Sequence, residues 1–157
     1  MTENSGSNKF VRGVLVATLL TCLSTSASVA QEPPLLPKTV TLNSIEWGAP
    51  GGGNGYPVGV RSAQQGIDAR TGGITYYALF PSGSHFDLHW HSHDEFVVVV
   101  QGTVTIELDG QTQTLGVGSY VVIPGTMQHS WDVPIASGED AIILVRRGGP
   151  ADFNFVQ

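Results

Sequence analysis

Past its first thirty residues the chain has no stretch of ten or more positions in which apolar residues recur with a 3.6-residue period, which removes helical architectures from consideration. Short runs rich in Val, Ile, Thr and aromatic residues are instead punctuated by Gly, Pro and Asp, the pattern of an all-β chain. Candidate strands are Thr39–Glu46, Tyr56–Arg61, Gly73–Phe80, His85–His91, Glu95–Gln101, Thr103–Leu108, Gln111–Leu115, Ser119–Ile123, His129–Val133 and Ala141–Arg146. Asp109-Gly110, between two alternating segments, predicts a tight hairpin because both central positions of such a turn favour positive φ. The glycine-dense stretch Gly48–Gly55 reads as a floppy connection, with neither the following helix nor the Lys that a phosphate loop needs. Many short, evenly spaced strands on a chain of this length predict a sandwich or small barrel.

The first thirty residues have a different character. Lys9 and Arg12 precede an uncharged, largely apolar run from Gly13 to Leu23, and the small residues Ser28-Val29-Ala30 follow. A basic start, a short apolar run and a small-x-small site predict a secretory signal over residues 1–30, cut between Ala30 and Gln31. The run is too short to span a bilayer core, which takes about 20 residues. Cys22, the single cysteine, would leave with the signal, and the Thr before it is a poor fit to lipid attachment. Cutting 30 of 157 residues leaves 127 and moves the net charge from -6 to -7, because two positive charges and one negative are lost. Residues 31–42 are expected to form a proline-rich linker leading into a first strand, and residues 43–157 a single domain. The expected location is periplasmic or secreted, with no membrane span after cleavage. An acidic chain with 7 Lys and Arg offers nothing for a nucleic-acid backbone.

The chemistry concentrates in one window. Four of five histidines stand at positions 85, 89, 91 and 93, and the fifth is His129. Alternate residues of a strand share a face, so His89 and His91 project the same way with Cα atoms about 6.6 Å apart. Glu95 can add an oxygen from the next strand if the chain bends at Ser92–Asp94. Neutral imidazole beside a carboxylate is a donor set for a transition metal. On strict alternation His85 and Asp87 share the ligand face, where Asp87 could orient a histidine by hydrogen bonding. His93, in the bend, reads as a surface residue ahead of a second base or fifth ligand. Trp131 reads as core packing, and Arg146-Arg147 as a solvated pair at a strand end ahead of a carboxylate holder.

Gly83-(five residues)-His89-Trp90-His91-(three residues)-Glu95-(six residues)-Gly102 matches the first cupin motif, G-x5-H-x-H-x3-E-x6-G, at every defined position. After fifteen intervening residues, Gly118-(five residues)-Pro124-(four residues)-His129 matches the frame of the second, G-x5-P-x-G-x2-H-x3-N. Over residues 72–146 the chain therefore resembles the cupin superfamily, and its layout is similar to small exported single-domain (type-2-like) cupins. The resemblance implies a double-stranded β-helix, or jelly-roll barrel, with one divalent metal ion (Fe, Mn, Ni, Cu or Zn) held by His89, His91, Glu95 and His129. Two positions depart from the motif. Thr126 stands where the inner glycine is expected, with Gly125 beside it, and Val133 replaces the terminal Asn. Either the turn tolerates Thr or the alignment slips by one.

Three functions follow as expectations. The first is a metal-dependent enzyme, oxygenase-like, acting on a small molecule, with catalytic side chains unidentified. The second is a non-catalytic metal or small-ligand binding module, and the third a barrel fastened by its metal. The resemblance also suggests a homodimer through barrel edges.

Overall fold

The computed structural model describes residues 1–2 and 36–157, and the fold lies in the compact unit Pro34–Gln157. The predicted signal, its cut site, Cys22 and most of the linker lie outside the described residues. Ten strands make up the unit: β1 Arg61–Ile67, β2 Ile74–Phe80, β3 His85–Trp90, β4 Glu95–Gln101, β5 Val104–Leu108, β6 Gln111–Leu115, β7 Tyr120–Ile123, β8 His129–Asp132, β9 Ala141–Arg147 and β10 Asn154–Phe155. They form two five-stranded antiparallel sheets, ordered β1-β2-β9-β4-β7 and β10-β3-β8-β5-β6. The all-β expectation holds, with β2 to β9 within two residues of their predicted bounds.

Period-2 alternation explains where the core sits. Val97 and Val99 of β4, Ala141, Ile143 and Val145 of β9, and Ala78 and Phe80 of β2 are buried from one sheet. Phe86, Val104, Ile106 and Trp131 are buried from the other, so the two inner faces pack together. Asp109 and Gly110 adopt φ of 52° and 68° and close the β5–β6 hairpin with Leu108 opposite Gln111, as the two-residue turn requires.

Three expectations are corrected. Thr39–Glu46 is not a strand: it carries one 3-10 turn, Leu42–Ser44, closed locally by Ser44 N–H to the Thr41 carbonyl at 2.9 Å and Thr41 N–H to Ser44 Oγ at 3.0 Å. Short hydroxyl side chains offer the backbone this alternative to a ladder. Tyr56–Arg61 is a turn region, because Pro57 has no N–H and its carbonyl instead accepts from Val60. The first strand starts at Arg61 and runs through Ser-Ala-Gln-Gln-Gly-Ile, a polar sequence held by pairing with β2 rather than by its own propensity. Gly48–Gly55 is tied down rather than floppy, with Gly48 N–H bonded to Ser62 O at 3.0 Å, Gly51 N–H to Val60 O at 2.8 Å and Asp87 N–H to Gly55 O at 3.0 Å.

Candidate metal centre

Strand β3 does not alternate strictly, and this decides which of its polar residues meet. Against β8, His85 pairs with Asp132, Phe86 with Trp131 and His89 with His129, so three steps on β3 span two on β8. The extra residue is a β-bulge, which shifts the phase of side chains beyond it. Phe86, His89 and His91 are therefore buried, while His85, Asp87 and Leu88 are exposed. The expectation that His85 and Asp87 share the ligand face is corrected for this reason. His85 bonds Asp132 at 2.7 Å at the surface instead. Asp87 does orient a histidine, but through its backbone: its carbonyl accepts from His89 Nδ1 at 2.6 Å.

The same arrangement recurs at the other two rings. His91 Nδ1 bonds the Asp152 carbonyl at 2.6 Å, and His129 Nδ1 the Met127 carbonyl at 3.0 Å. A carbonyl oxygen can only accept, so each Nδ1 carries the proton and each Nε2 of a neutral ring presents a lone pair. Burial, and then the neighbouring His129, push His89 down to about 3, so that ring is neutral. One nitrogen from each of the three buried rings lies within 4.8 Å of the others, a cluster that could hold a metal ion. Glu95 Oε2 lies 3.1 Å from His91 Nε2 and 3.6 Å from His129 Nε2. None of these three atoms has a hydrogen-bond partner, although all are buried. Orphaned acceptors facing one another are costly. A cation among them removes that cost, so the residues present fit a metal ion.

Glu95 is set by β4, whose first residue pairs directly with Arg147 at the end of β9. Burial opposes its ionisation, while the Arg147 guanidinium beside it favours the carboxylate, and the carboxyl lies below the usual carboxylate range. Arg147 is only 2% exposed. Its Nη1 lies 3.5 Å from Glu95 Oε2 and its Nη2 donates to Tyr76 Oη at 3.0 Å. Arg146 faces outward, 3.8 Å from Asp68. Only half of the expected solvated pair is solvated. The alternation Ala141, Ile143, Val145, Arg147 carries the inward phase to the strand's last residue, a signal present in the sequence but not used.

A cavity of about 370 Å³ reaches His89, His91 and Glu95, walled by Phe80, Phe86, Ile143 and Phe153 among others. Trp131 is buried in the core and also borders this cavity. Phe153 belongs to a C-terminal strap missed by sequence reasoning. Its ring stands edge-on to His91 at 4.7 Å, and the Asp152 carboxylate accepts from Ser92 N–H at 3.0 Å and Ser92 Oγ at 2.6 Å. Strand β10 then pairs Phe155 with His89 and Asn154 with Trp90. His93 is exposed, its ring against Gly149, outside the histidine cluster. In the turn before His129, Thr126 adopts φ of 68° and its N–H bonds the His91 carbonyl at 2.7 Å. The motif therefore does not slip: position 126 is the left-handed one and Thr fills it.

Residues 76–145 match the family model Cupin_2, a cupin domain. Among solved structures, the chain is similar to Rru_A2000 of Rhodospirillum rubrum, a cupin-2 domain, at 15% identity and TM-score 0.61, with 80% of this chain and 84% of that one covered. The polyketide cyclase RemF of Streptomyces resistomycificus aligns at 17% identity and TM-score 0.59, covering 78% and 87%. KdgF of a Halomonas species aligns at 19% identity and TM-score 0.57, covering 74% and 96%. These likenesses show the fold, which is that of the cupins. No functionally curated protein matches the chain.

Proposed function

We propose, with the cupin domain over residues 76–145 as premise, that this protein binds one divalent transition metal ion through His89, His91, Glu95 and His129 and uses it to act on a small molecule. The observation that carries the reading is the set of buried, unpartnered atoms His91 Nε2, His129 Nε2 and Glu95 Oε2 beside a third imidazole. An ion of Fe, Mn, Ni, Cu or Zn suits such donors and, when bound, would polarise an oxygen of a ligand in the cavity. The protein's own part is to hold three imidazoles in one tautomer and to keep Glu95 ionised. Phe86 and Phe153 wall the same space against bulk water. An oxygenase-like oxidation is the reaction class we favour, because imidazole and carboxylate donors serve Fe(II) oxygenases.

A non-catalytic binding module is the second reading, favoured by the cavity wall. Glu95 is the only carboxylate among the described residues lining it, and burial followed by the charge of Glu95 pushes the Tyr76 phenol up, so that it stays protonated. A purely structural metal is disfavoured by the cavity reaching the cluster. The leader-like residues 1–30 support export to the periplasm or beyond.

Elemental analysis of the untagged protein tests the metal, with about one ion per chain expected in the parent and none in the His89→Ala/His91→Ala double variant. Stoichiometric metal in that variant would overturn the ligand assignment. Oxygen uptake with enolic and catecholic compounds tests the enzyme reading. Silence across the panel favours the binding module.

A further inference from the structure

Arg147 is the unusual residue of the cavity. A guanidinium has five N–H donors and is almost never fully buried unless they are used. Here Nη2 bonds Tyr76, Nη1 stands 3.5 Å from Glu95, and both Nε and Nη1 have no hydrogen-bond partner. The guanidinium also lies 5.0 Å from the centre of the Phe153 ring, which fixes it beside the cavity without occupying its donors. Its burial thus leaves hydrogen-bonding capacity that neither neighbour takes up.

The charge balance points the same way. In the cavity wall the buried Arg147 faces Glu95, and Arg61 stands exposed at its border. Arg147 and Glu95 offset one another in the buried part of the wall, so a divalent ion held by Glu95 and the histidines would leave that space net cationic. Uncompensated positive charge in a poorly solvated space favours an anionic ligand strongly. Beyond these groups the wall is largely apolar, with Phe80, Phe86 and Ile143 facing the same space, and about 370 Å³ is within the range of small-molecule sites, roughly 300–1,000 Å³.

We propose that the cavity binds a small organic monocarboxylate, its carboxylate at Arg147 and its apolar body against Phe80, Phe86 and Ile143. This deepens the proposed function and rests on it for the ion beside which the carboxylate would lie. A single carboxylate matches the planar donors of Arg.

Calorimetric titration with benzoate and with its neutral analogue benzyl alcohol tests the proposal, on the full chain both metal-loaded and chelator-treated. Metal content is measured on the same samples. Metal-loaded parent protein is expected to bind benzoate at least about ten-fold more tightly than benzyl alcohol, because the charged ligand gains charge-assisted bonds that the alcohol cannot make. In samples loaded to the parent's metal content, Arg147→Met is expected to shrink that gap to about two-fold, and Arg147→Lys to restore part of it. Equal affinities in the parent, no benzoate binding at millimolar concentration, or an undiminished gap in Arg147→Met each overturn the proposal. If Arg147→Met does not fold, the parent's ratio and the Lys variant decide. A parent that takes up no metal, yet selects benzoate through Arg147, would sink the metal reading and leave the anion site standing.

Discussion

Thr126 offers a test of the site's architecture by stability alone. It is β-branched, exposed and left-handed, with φ of 68°. Such a conformation costs a non-glycine residue about 1–2 kcal/mol. Glycine would remove that cost but gives back roughly 0.5–1 kcal/mol by making the unfolded chain more flexible. The Thr126 hydroxyl makes no hydrogen bond and the residue is exposed, so little else is lost. Thr126→Gly should therefore stabilise the fold by about 0.5–1 kcal/mol, a rise of about 2–5 °C in Tm for a domain of this size. Gly125→Ala should do the opposite, since a Cβ there would come 2.8 Å from the Ser92 carbonyl oxygen. An alanine at 125 has to displace backbone, at a cost of about 1–3 kcal/mol. Thermal and urea denaturation of the metal-free protein read both values. If Thr126→Gly lowers Tm while Gly125→Ala leaves it unchanged, the left-handed position is misplaced and the second motif is read one residue out of register.

Glu95→Gln leaves the Arg147 charge buried without its partner and should cost about 3 kcal/mol. Adding Arg147→Met should recover part of that loss, and strictly additive effects in urea would show that the two side chains do not act as a pair. His93→Ala should leave the metal stoichiometry at that of the parent, because its ring stands outside the cluster; loss of the ion would make it a ligand. Asp152→Ala removes the acceptor for Ser92 N–H and Oγ. It should loosen the segment whose carbonyl holds His91 and weaken metal affinity about ten-fold or more, as changes to groups that orient metal ligands do. Competition with a chromogenic chelator would show it, and unchanged affinity would refute that coupling.

Much of this molecule is legible in its sequence, and the failures have identifiable causes. Strands such as β4 and β9 were readable because their apolar alternation is enforced by burial in a two-sheet core. The polar β1 was not, since its pairing with β2 is a tertiary effect with no local signature. The pair His89 and His91 is legible from spacing and His129 only through the resemblance to the cupin motifs, while their surroundings are legible from neither. A bulge between Phe86 and His89 sent His85 and Asp87 to the surface, and no residue type announces a bulge in His-Phe-Asp-Leu-His. Arg147 was misread for a different reason. A doubled arginine suggests solvent, but strand phase assigns its two members to opposite faces. The Phe153 strap went unseen because a two-residue strand carries too little pattern to register.

That strap has a consequence in time. Synthesis runs from the amino end, and Asp152 is made 61 residues after His91, whose proton its carbonyl fixes. Before then the chain can already pair β3 with β8 and bring His89 beside His129, yet His91 has nothing to choose its tautomer. His91 is thus set only when the segment that follows β9 lies across β3. A metal ion held at the proposed centre would therefore meet a correctly set His91 only with that segment in place.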